Sequence, residues 1–327
     1  MLFSILKITA MKQILTPVIF LFLLLNLLFI AGCNQEEVAD KTKDELVSSI
    51  IDNITSDNLK SNVNWLQNYG TRFFLAGNRR QIAVDIKNKF IQYGYSNASI
   101  DSFYLTANWD EQTTHTWQYN VIAELKGSKT PDNIYVMGAH YDCVIEDGDP
   151  YTHAPGANDN ASGVAAVLEV AKILKAESFI PENTIQFVTF ATEENDLNGS
   201  ADFAAKAAGS SKNIVAMLNN DMIATATGTE SSWIVNIADY DNSSTLRSDF
   251  VTCGEKYTSL NFANDNSYND ESDSYSFSQQ GFKAIFLIGN EDDGNYHTTK
   301  DIVINCNFDF CREVTKLSCA YLVQENK

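Results

Sequence analysis

The sequence predicts one α/β domain with a central mixed, mostly parallel β-sheet that is flanked by helices on both faces. From residue 134 onward, apolar segments of strand character alternate with amphipathic segments of helical spacing. Buried strands joined by helices form a mainly parallel sheet that is covered on both sides. The chain has no internal repeat, no inner linker and only five prolines. A single domain over residues 46–327 is therefore the simplest interpretation.

The first elements are two helices and three strands. Apolar residues recur near helical spacing in two segments that each end close to a glycine, 42–69 (interrupted around Ser56–Asp57) and 77–92. Strand character follows, first as alternation of apolar and polar residues and then as continuous apolar runs. These strand segments are 98–107, 119–125 and 134–139.

The remaining elements alternate between the two types. The predicted strands are 184–191, 214–218, 234–237 and 284–288. The predicted helices are 161–175, 199–208, 243–257 and 308–323. Between them, the segment 261–278 is polar and of low complexity, and we expect it to be a surface loop.

The charge excludes two classes of partner. With 42 Asp and Glu against 23 Lys and Arg, the formal net charge is −19. The first 32 residues hold two lysines and no acidic residue, so the rest of the chain carries −21. Nucleic-acid binding and attraction to anionic membrane surfaces both need excess positive charge, and neither is expected here. At 44% hydrophobic and 11% aromatic residues, the chain can bury a core, which excludes disorder.

An export signal is predicted at residues 1–32. Behind Lys12, residues 14–31 form an apolar run that ends in small residues. This arrangement is typical of a secretory signal, although the run is also close to the length of a transmembrane anchor. Because Ile30-Ala31-Gly32-Cys33 resembles a bacterial lipobox, we expect a lipoprotein of the bacterial cell envelope. Lipid on Cys33 would anchor it, and residues 33–45 would form a polar tether.

Five cysteines follow the predicted signal: Cys143, Cys253, Cys306, Cys311 and Cys319. An exported protein can form disulfides, and Cys306 and Cys311 are close enough in sequence to pair. An odd number leaves at least one thiol unpaired. The C-x-x-C spacing of a structural zinc site is absent.

Reactive side chains gather where predicted strands end or helices begin. In an open α/β sheet, functional groups collect at the carboxyl ends of strands. All of the candidates except the last, which lies near the C-terminus, occupy such positions. They are His140, Asp142, Asp159, Glu193, Glu194, Asp221 and His297.

Each of these motifs alone also has a structural explanation. Asp159 could cap the helix that follows it, and paired glutamates could be solvated surface charges. Taken together, a mixed set of histidines and carboxylates suits zinc. One carboxylate could bridge two metal ions, an arrangement that is typical of aminopeptidases.

Five segments in order resemble the di-zinc aminopeptidases of metallopeptidase family 28. They are GAHYD at 138–142, PGANDNASGVAAVLEVAKIL at 155–174, FATEENDLNGS at 190–200, NNDMI at 219–223 and YHTTKD at 296–301. The similarity extends from the helix near Val63 to the terminal helix. It implies a zinc-exopeptidase fold of the phosphorylase/hydrolase-like type. It also implies hydrolysis of peptides that have a free N-terminus.

The resemblance implies a role for each candidate residue. The ligands of one zinc would be His140, Asp159 and Asp221, and those of the other Asp159, Glu194 and His297. Asp159 would therefore bridge two zinc ions. Glu193 would be the general base, and Asp142 would orient the imidazole of His140.

Two positions depart from the family pattern, and other activities stay open. Asp196 stands where the family usually has glycine, and Ser274 replaces the histidine of a Ser-Asp-His motif beside the substrate site. The nearest alternative is a glutaminyl-peptide cyclotransferase, which uses a single zinc, and a non-catalytic peptide-binding lipoprotein is a third. The short run from the Glu193–Glu194 pair to LNGS favours a peptidase, although dipeptidase or carboxypeptidase activity also fits.

Overall fold

The computed structural model describes residues 41–291 and 294–327. The predicted signal peptide, Cys33 and most of the predicted tether lie outside the described residues. The first helix, Lys43–Ile51, begins inside the segment predicted as tether, because Val47, Ile50 and Ile51 bury its apolar side. Within the described residues, no helix is both long enough and apolar enough to cross a membrane.

Eight strands of the described residues form one mixed sheet in the order β1-β2-β4-β3-β5-β8-β6-β7. They are β1 Ser99–Trp109, β2 Gln112–Leu125, β3 Thr130–His140, β4 Asn183–Phe190, β5 Asn213–Asn220, β6 Ile234–Asp239, β7 Asn261–Ala263 and β8 Ala284–Gly289. The central strands β4, β3, β5 and β8 run parallel to one another. The pairs β1–β2, β2–β4 and β6–β8 are antiparallel.

Helices cover both faces of this sheet, which confirms the predicted single α/β domain. They are α1 Lys43–Ile51, α2 Ser56–Gln67, α3 Arg79–Gln92, α4 Gly163–Ala176, α5 Asn198–Ala208, α6 Ser244–Tyr257, α7 Asp273–Gln279 and α8 Phe308–Glu325. A large apolar core lies on one face, where α4 and α8 bury most of their side chains. A smaller core on the other face packs Phe203 of α5 and Phe277 of α7 against Phe190.

The crossover connections place the functional edge of the sheet. The chain passes from β3 through α4 to β4 on one side of β3, and then through α5 to β5 on the other side. Because α4 and α5 lie on opposite faces, the carboxyl ends of these strands border a crevice. Ligands of open α/β sheets bind in crevices of this kind.

Two regions differ from the sequence-based expectation. The interruption expected around Ser56–Asp57 in the helical segment 42–69 lies slightly earlier, at residues 52–55 between α1 and α2, and Thr55 caps the second helix. The segment 261–278 is not wholly a surface loop. It contains β7 and α7, and Asp273, Ser274 and Phe277 of α7 are buried.

Candidate metal centre

The predicted ligands come from the ends of three neighbouring parallel strands and two loops. His140 is the last residue of β3, Glu193 and Glu194 follow β4, and Asp221 follows β5. Asp159 comes from the irregular turn Ala157–Ser162, which leads into α4. His297 comes from the loop after β8. The topology therefore brings residues that are up to 157 positions apart to one edge of the sheet.

The first ligand group surrounds the Nε2 atom of His140. Asp159 Oδ1 and Asp221 Oδ1 each lie 3.2 Å from this nitrogen. The three ligand atoms lie within 4.8 Å of one another, and all three residues are buried. Three such donors facing a common point are the minimum that a catalytic zinc site takes from the protein.

The second group surrounds the Nε2 atom of His297 and shares Asp159 with the first. Asp159 Oδ2 lies 3.2 Å from this nitrogen, and Glu194 Oε2 lies 2.9 Å from it. The two oxygens of the Asp159 carboxylate thus face different histidines. This division is the arrangement needed for a carboxylate that bridges two ions.

Two buried atoms show that these residues fit a metal. Among the described residues, Glu194 Oε1 has no hydrogen-bond partner, and His297 Nε2 forms no hydrogen bond with the two carboxylate oxygens that lie 2.9 and 3.2 Å from it. Buried polar atoms are normally paired, and an unpaired one in a native site calls for an ion or a water. Neutral imidazole and carboxylate donors match the preferences of zinc.

The shifted pKa values of the buried carboxyls and of His140 also indicate a site for cations. Burial and the charge of Asp159 raise the pKa of Glu194 to about 7, although His297 opposes the shift. Burial also raises the pKa of Glu193 well above its usual value. Burial lowers the pKa of His140, but the charges of Glu193 and Asp221 outweigh it and raise this pKa. So many buried carboxylates are costly to ionise without cations nearby.

Asp142 holds the glutamate pair in place. Its carboxylate accepts the backbone N–H groups of Glu193 at 3.1 Å and of Glu194 at 3.3 Å. The same carboxylate lies 3.6 Å from His140 Nδ1, and the nearer acceptor for that nitrogen is the main-chain carbonyl of Asp142 at 3.1 Å. The side chain expected to orient the histidine therefore fixes the two glutamates more directly.

Asp301 and Arg72 anchor the turn that carries Asp159. The Asp301 carboxylate accepts the N–H groups of Asn158 at 2.7 Å and of Asp159 at 2.9 Å. The buried guanidinium of Arg72 donates to three carbonyls, those of Tyr141, Pro155 and Gly156. It ties the segment after β3 to the turn before α4. Sequence reasoning assigned no role to Arg72, because a buried arginine looks like any surface arginine in a sequence.

Glycine is required at two points of the same turn. Gly156 has φ +50°, and a Cβ there would lie 2.4 Å from the carbonyl oxygen of Asp159. A Cβ on Gly163 would lie 2.0 Å from the carbonyl oxygen of Asn220, at the end of β5. A side chain at either glycine would push the turn away from the end of β5. The two glycines therefore allow Asp159, which lies between them, to come close to Asp221.

A second loop fixes His297. The N–H of Glu146 donates to the carbonyl of His297 at 2.9 Å. The carboxylate of Asp147 accepts the N–H and the hydroxyl of Thr299, each at 2.9 Å. The ring of Tyr296 stacks on the imidazole, with centroids 3.7 Å apart.

Both ligand groups open into one cavity of about 440 Å³. Glu193 lines it and places its Oε2 atom 3.9 Å from His140 Nε2. Asp265, Tyr268 and Glu271 also line it, and they belong to the 261–278 segment, which the sequence predicted as a surface loop.

The two departures from the family pattern have local explanations. Asp196 has φ +61°, the left-handed region that favours glycine, so the turn keeps this conformation with aspartate in it. The hydroxyl of Ser274 lies 2.8 Å from that of Tyr240, and the side chain is fully buried.

No cysteine of the described residues belongs to either ligand group. Cys311 is a free buried thiol, so the disulfide with Cys306 that the sequence allowed is not formed in the described part of the chain. Cys143, next to the centre, donates to the carbonyl of Ala154. Burial raises the pKa of Cys143 to about 12, which keeps it a thiol.

Residues 120–322 match the model of peptidase family M28. The chain belongs to this family. The match covers every predicted ligand, from the segment before His140 to the segment after His297. The predicted family resemblance is therefore confirmed.

Individual M28 relatives agree with the assignment. A probable zinc metalloprotease of Pyricularia oryzae is 46% identical over 110 residues, which is 33% of this chain and 22% of the relative. A probable aminopeptidase of Saccharomyces cerevisiae is 26% identical over 298 residues, 88% of this chain and 77% of the relative. The chain spans less than half the length of the first curated relatives that it matches.

Solved structures share the fold of this chain. An aminopeptidase from an Aneurinibacillus strain superimposes with a TM-score of 0.70 at 16% identity, covering 86% of this chain and 96% of the other. A glutaminyl cyclase from Bacteroides thetaiotaomicron gives 0.66 at 17% identity, covering 84% and 98%. The fold is therefore shared by the two activities between which the sequence left a choice.

Proposed function

We propose that the protein is a zinc aminopeptidase that removes N-terminal residues from peptides. The observation that carries the proposal is the pair of ligand groups that share Asp159 and face one cavity together with the Glu193 carboxylate. Two metal sites on a bridging carboxylate suit peptide hydrolysis. The relatives named as metalloproteases and aminopeptidases support the same activity.

Each ligand group would hold one zinc. The first would use His140, Asp159 and Asp221, and the second Asp159, Glu194 and His297. Bound zinc supplies Lewis acidity, which polarises a scissile carbonyl and makes water easier to deprotonate. The protein contributes the fixed positions of these side chains, and Asp142 and Asp301 contribute the backbone hydrogen bonds that hold them.

Glu193 moves the proton. Its Oε2 atom reaches the space in front of His140, so it can accept a proton from the attacking water and return it to the leaving amine. Burial raises the pKa of this carboxyl, which makes it a stronger base than a surface glutamate. An acidic cavity also attracts the positively charged N-terminus of a peptide substrate.

The test combines metal analysis with turnover. The purified protein should hold about two zinc ions per chain and cleave aminoacyl-amide reporters. Glu193→Gln should keep its zinc and lose turnover by about 10²–10⁴-fold, the usual contribution of a general base. The matched control Glu255→Gln, on the exposed side of α6, should behave as the wild type. Absence of zinc together with absence of cleavage after zinc addition would overturn the proposal.

The geometry favours the peptidase over the cyclase. A cyclase uses one zinc, whereas the described residues provide two complete ligand groups. An N-terminal glutaminyl peptide distinguishes the two directly. A peptidase releases free glutamine from it, and a cyclase releases ammonia. The non-catalytic alternative predicts neither product.

We propose further that the protein is exported and anchored through lipid on Cys33. This proposal rests on the apolar run 14–31 and the residues before Cys33. The curated relatives described above are fungal and lend no support to a bacterial envelope. Mass spectrometry of the N-terminal peptide tests it. A diacylated Cys33 is the expected result, and an unmodified chain that begins at Met1 or Met11 contradicts it.

A further inference from the structure

The cavity beside the candidate metal centre is lined by more carboxylates than the ligand groups, the general base and their anchoring require. Eight carboxylates line it, and among its described lining residues there is no lysine or arginine. Five of these carboxylates belong to the centre or to its anchoring. The other three, those of Asp265, Glu271 and Glu291, belong to neither ligand group, and Glu291 also accepts the N–H of Thr227 at 2.8 Å.

These three outer carboxylates come from two separate segments of the cavity lining. Asp265 and Glu271 flank the stretch between β7 and α7, and Glu291 follows β8. All three residues are exposed. Because they are exposed, their carboxylates belong to the part of the lining that is open to solvent.

Asp265 is held in position. The side chain of Asn236 is 7% exposed and makes two hydrogen bonds to Asp265, donating to its carbonyl at 2.8 Å and accepting its N–H at 2.7 Å. Oδ1 of Asp265 also accepts from the N–H and hydroxyl of Ser267. The carboxylate is therefore fixed at the cavity and not a freely moving surface charge.

A buried hydroxyl in the same lining lacks a partner. Thr225 is 6% exposed, lines the cavity, and its Oγ1 atom has no hydrogen-bond partner among the described residues. Buried polar atoms are normally satisfied, so an unpaired hydroxyl on a cavity wall indicates a ligand group or a water that completes it. It is an observation independent of the carboxylates.

Part of the wall of the same cavity is apolar. Phe286 and Ile288 are two apart on β8 and share one face of the strand, and Met222 follows Asp221. A side chain with a long aliphatic stem packs against such a wall while its charged end stays in water. Lysine and arginine are the side chains that combine such a stem with a positive end.

We propose that this cavity selects peptides whose N-terminal residue is lysine or arginine. The aliphatic stem lies along Met222, Phe286 and Ile288, and the cationic end meets the carboxylates of Asp265, Glu271 and Glu291. The inference rests on the proposed aminopeptidase function and names its substrate class. The α-ammonium group does not satisfy the outer carboxylates, because it lies next to the scissile bond and thus beside the metal centre.

The test compares lysine with norleucine, which has the same stem without the charge. At low salt, kcat/KM for the lysyl reporter should exceed that for the norleucyl reporter by about tenfold, as expected for a few solvent-exposed charge pairs. In the variant Asp265→Asn/Glu271→Gln/Glu291→Gln this ratio should fall to about one. Raising the salt concentration should reduce the wild-type ratio, since exposed charges are screened.

A matched control removes the same number of charges elsewhere. Asp132→Asn/Asp249→Asn/Glu255→Gln changes three exposed acids that do not line the cavity, and it should keep the lysine preference. A wild-type ratio of one or below overturns the inference. A ratio that survives in the cavity variant, or one that is lost equally in the control, also overturns it.

Binding separates this inference from the proposed function. Calorimetry on Glu193→Gln should show tighter binding of lysinamide than of norleucinamide, again by about tenfold. If norleucyl reporters are cleaved without a lysine preference, the aminopeptidase proposal stands and this inference fails. If no reporter is cleaved, the proposed function fails, and the binding ratio alone decides whether the cavity selects a cationic side chain.

Discussion

The two ligand groups share Asp159 but differ in how the fold supports them. The first group stands on strand ends, and the side chain of His140 is 1% exposed. In the second, His297 lies on a loop, has φ +53° and is 16% exposed. Loop ligands of this kind open locally at lower free-energy cost than ligands on central strands. We infer that the first group is the tight site of the centre and the second the exchangeable one.

The contacts that hold the first ligand group are buried, whereas those that hold the loop of His297 lie at the surface. The first is enclosed by the turn before α4, where Gly156 and Gly163 allow close approach and Arg72 clamps three carbonyls. The second depends on a surface contact in which Asp147 binds Thr299. If each group holds a zinc ion as proposed, the second ion would be lost more easily than the first.

The largest effect is expected from the shared ligand. Asp159→Asn replaces the carboxylate that faces both histidines with an amide, which is a weaker ligand, so both sites should lose affinity. The decrease in turnover should exceed the about 10–100-fold that is typical of losing an outer partner. Metal content and kcat measured together test this, with Asp149→Asn on the nearby surface loop as the control. A variant that keeps two ions and full turnover would show that Asp159 does not bridge.

Removing one histidine at a time tests the difference between the groups. A chelator titration of the wild type should release zinc in two steps whose midpoints differ by at least about tenfold. His297→Ala should lack the easily released ion and keep the tight one. His140→Ala should lose the tight step. A single step in the wild type, or the reverse assignment in the variants, would contradict the inferred order of the two sites.

A smaller effect is expected from the surface contact that holds the loop of His297. Asp147→Asn weakens the two hydrogen bonds to Thr299, so the exchangeable ion should bind about 10-fold more weakly. The tight ion should be unaffected, because the Asp147 contact does not touch its ligands. Metal affinity measured by competition with a chelator dye checks this. Asp149→Asn serves as the control, because Asp149 bonds within its own loop at Tyr151 and Thr152.

The smallest effect concerns the turn after the glutamate pair. Asp196 adopts φ +61°, so Asp196→Gly should relieve backbone strain and raise the free energy of unfolding by up to about 1 kcal/mol. Asp196→Ala should lower it, since alanine tolerates this conformation less well. Denaturant unfolding of the zinc-loaded protein measures both. A destabilised glycine variant would mean that the aspartate side chain contributes something beyond its backbone conformation.

Much of the fold and of the centre could be predicted from the sequence because the signals were strong and ordered. The continuous apolar runs of β3, β4 and β5 indicated buried parallel strands. His140 ends β3, Glu194 lies four residues after β4 and Asp221 directly follows β5, so strand ends alone place them at one edge. The structure brings all five predicted ligands together, and the assignment of their roles remains a prediction.

The parts that the sequence did not reveal share a physical cause. The polar composition of 261–278 concealed α7, because a seven-residue helix is too short to show helical spacing. Apart from Phe277, the residues that it buries are polar: Asp273, Ser274 and Ser276. The lining role of Asp265 depends on its backbone bonds with Asn236, which are long-range contacts. Likewise, the link between Asp142 and the glutamates joins residues 51 positions apart, and no local pattern encodes it.

The most direct measurement of the central claim is a crystal structure of the zinc-loaded protein with diffraction data recorded at the zinc absorption edge. We predict two anomalous peaks that flank the carboxylate of Asp159. One peak should lie among His140, Asp159 and Asp221, and the other among Asp159, Glu194 and His297. A single peak, or two peaks of which neither contacts Asp159, would contradict the account.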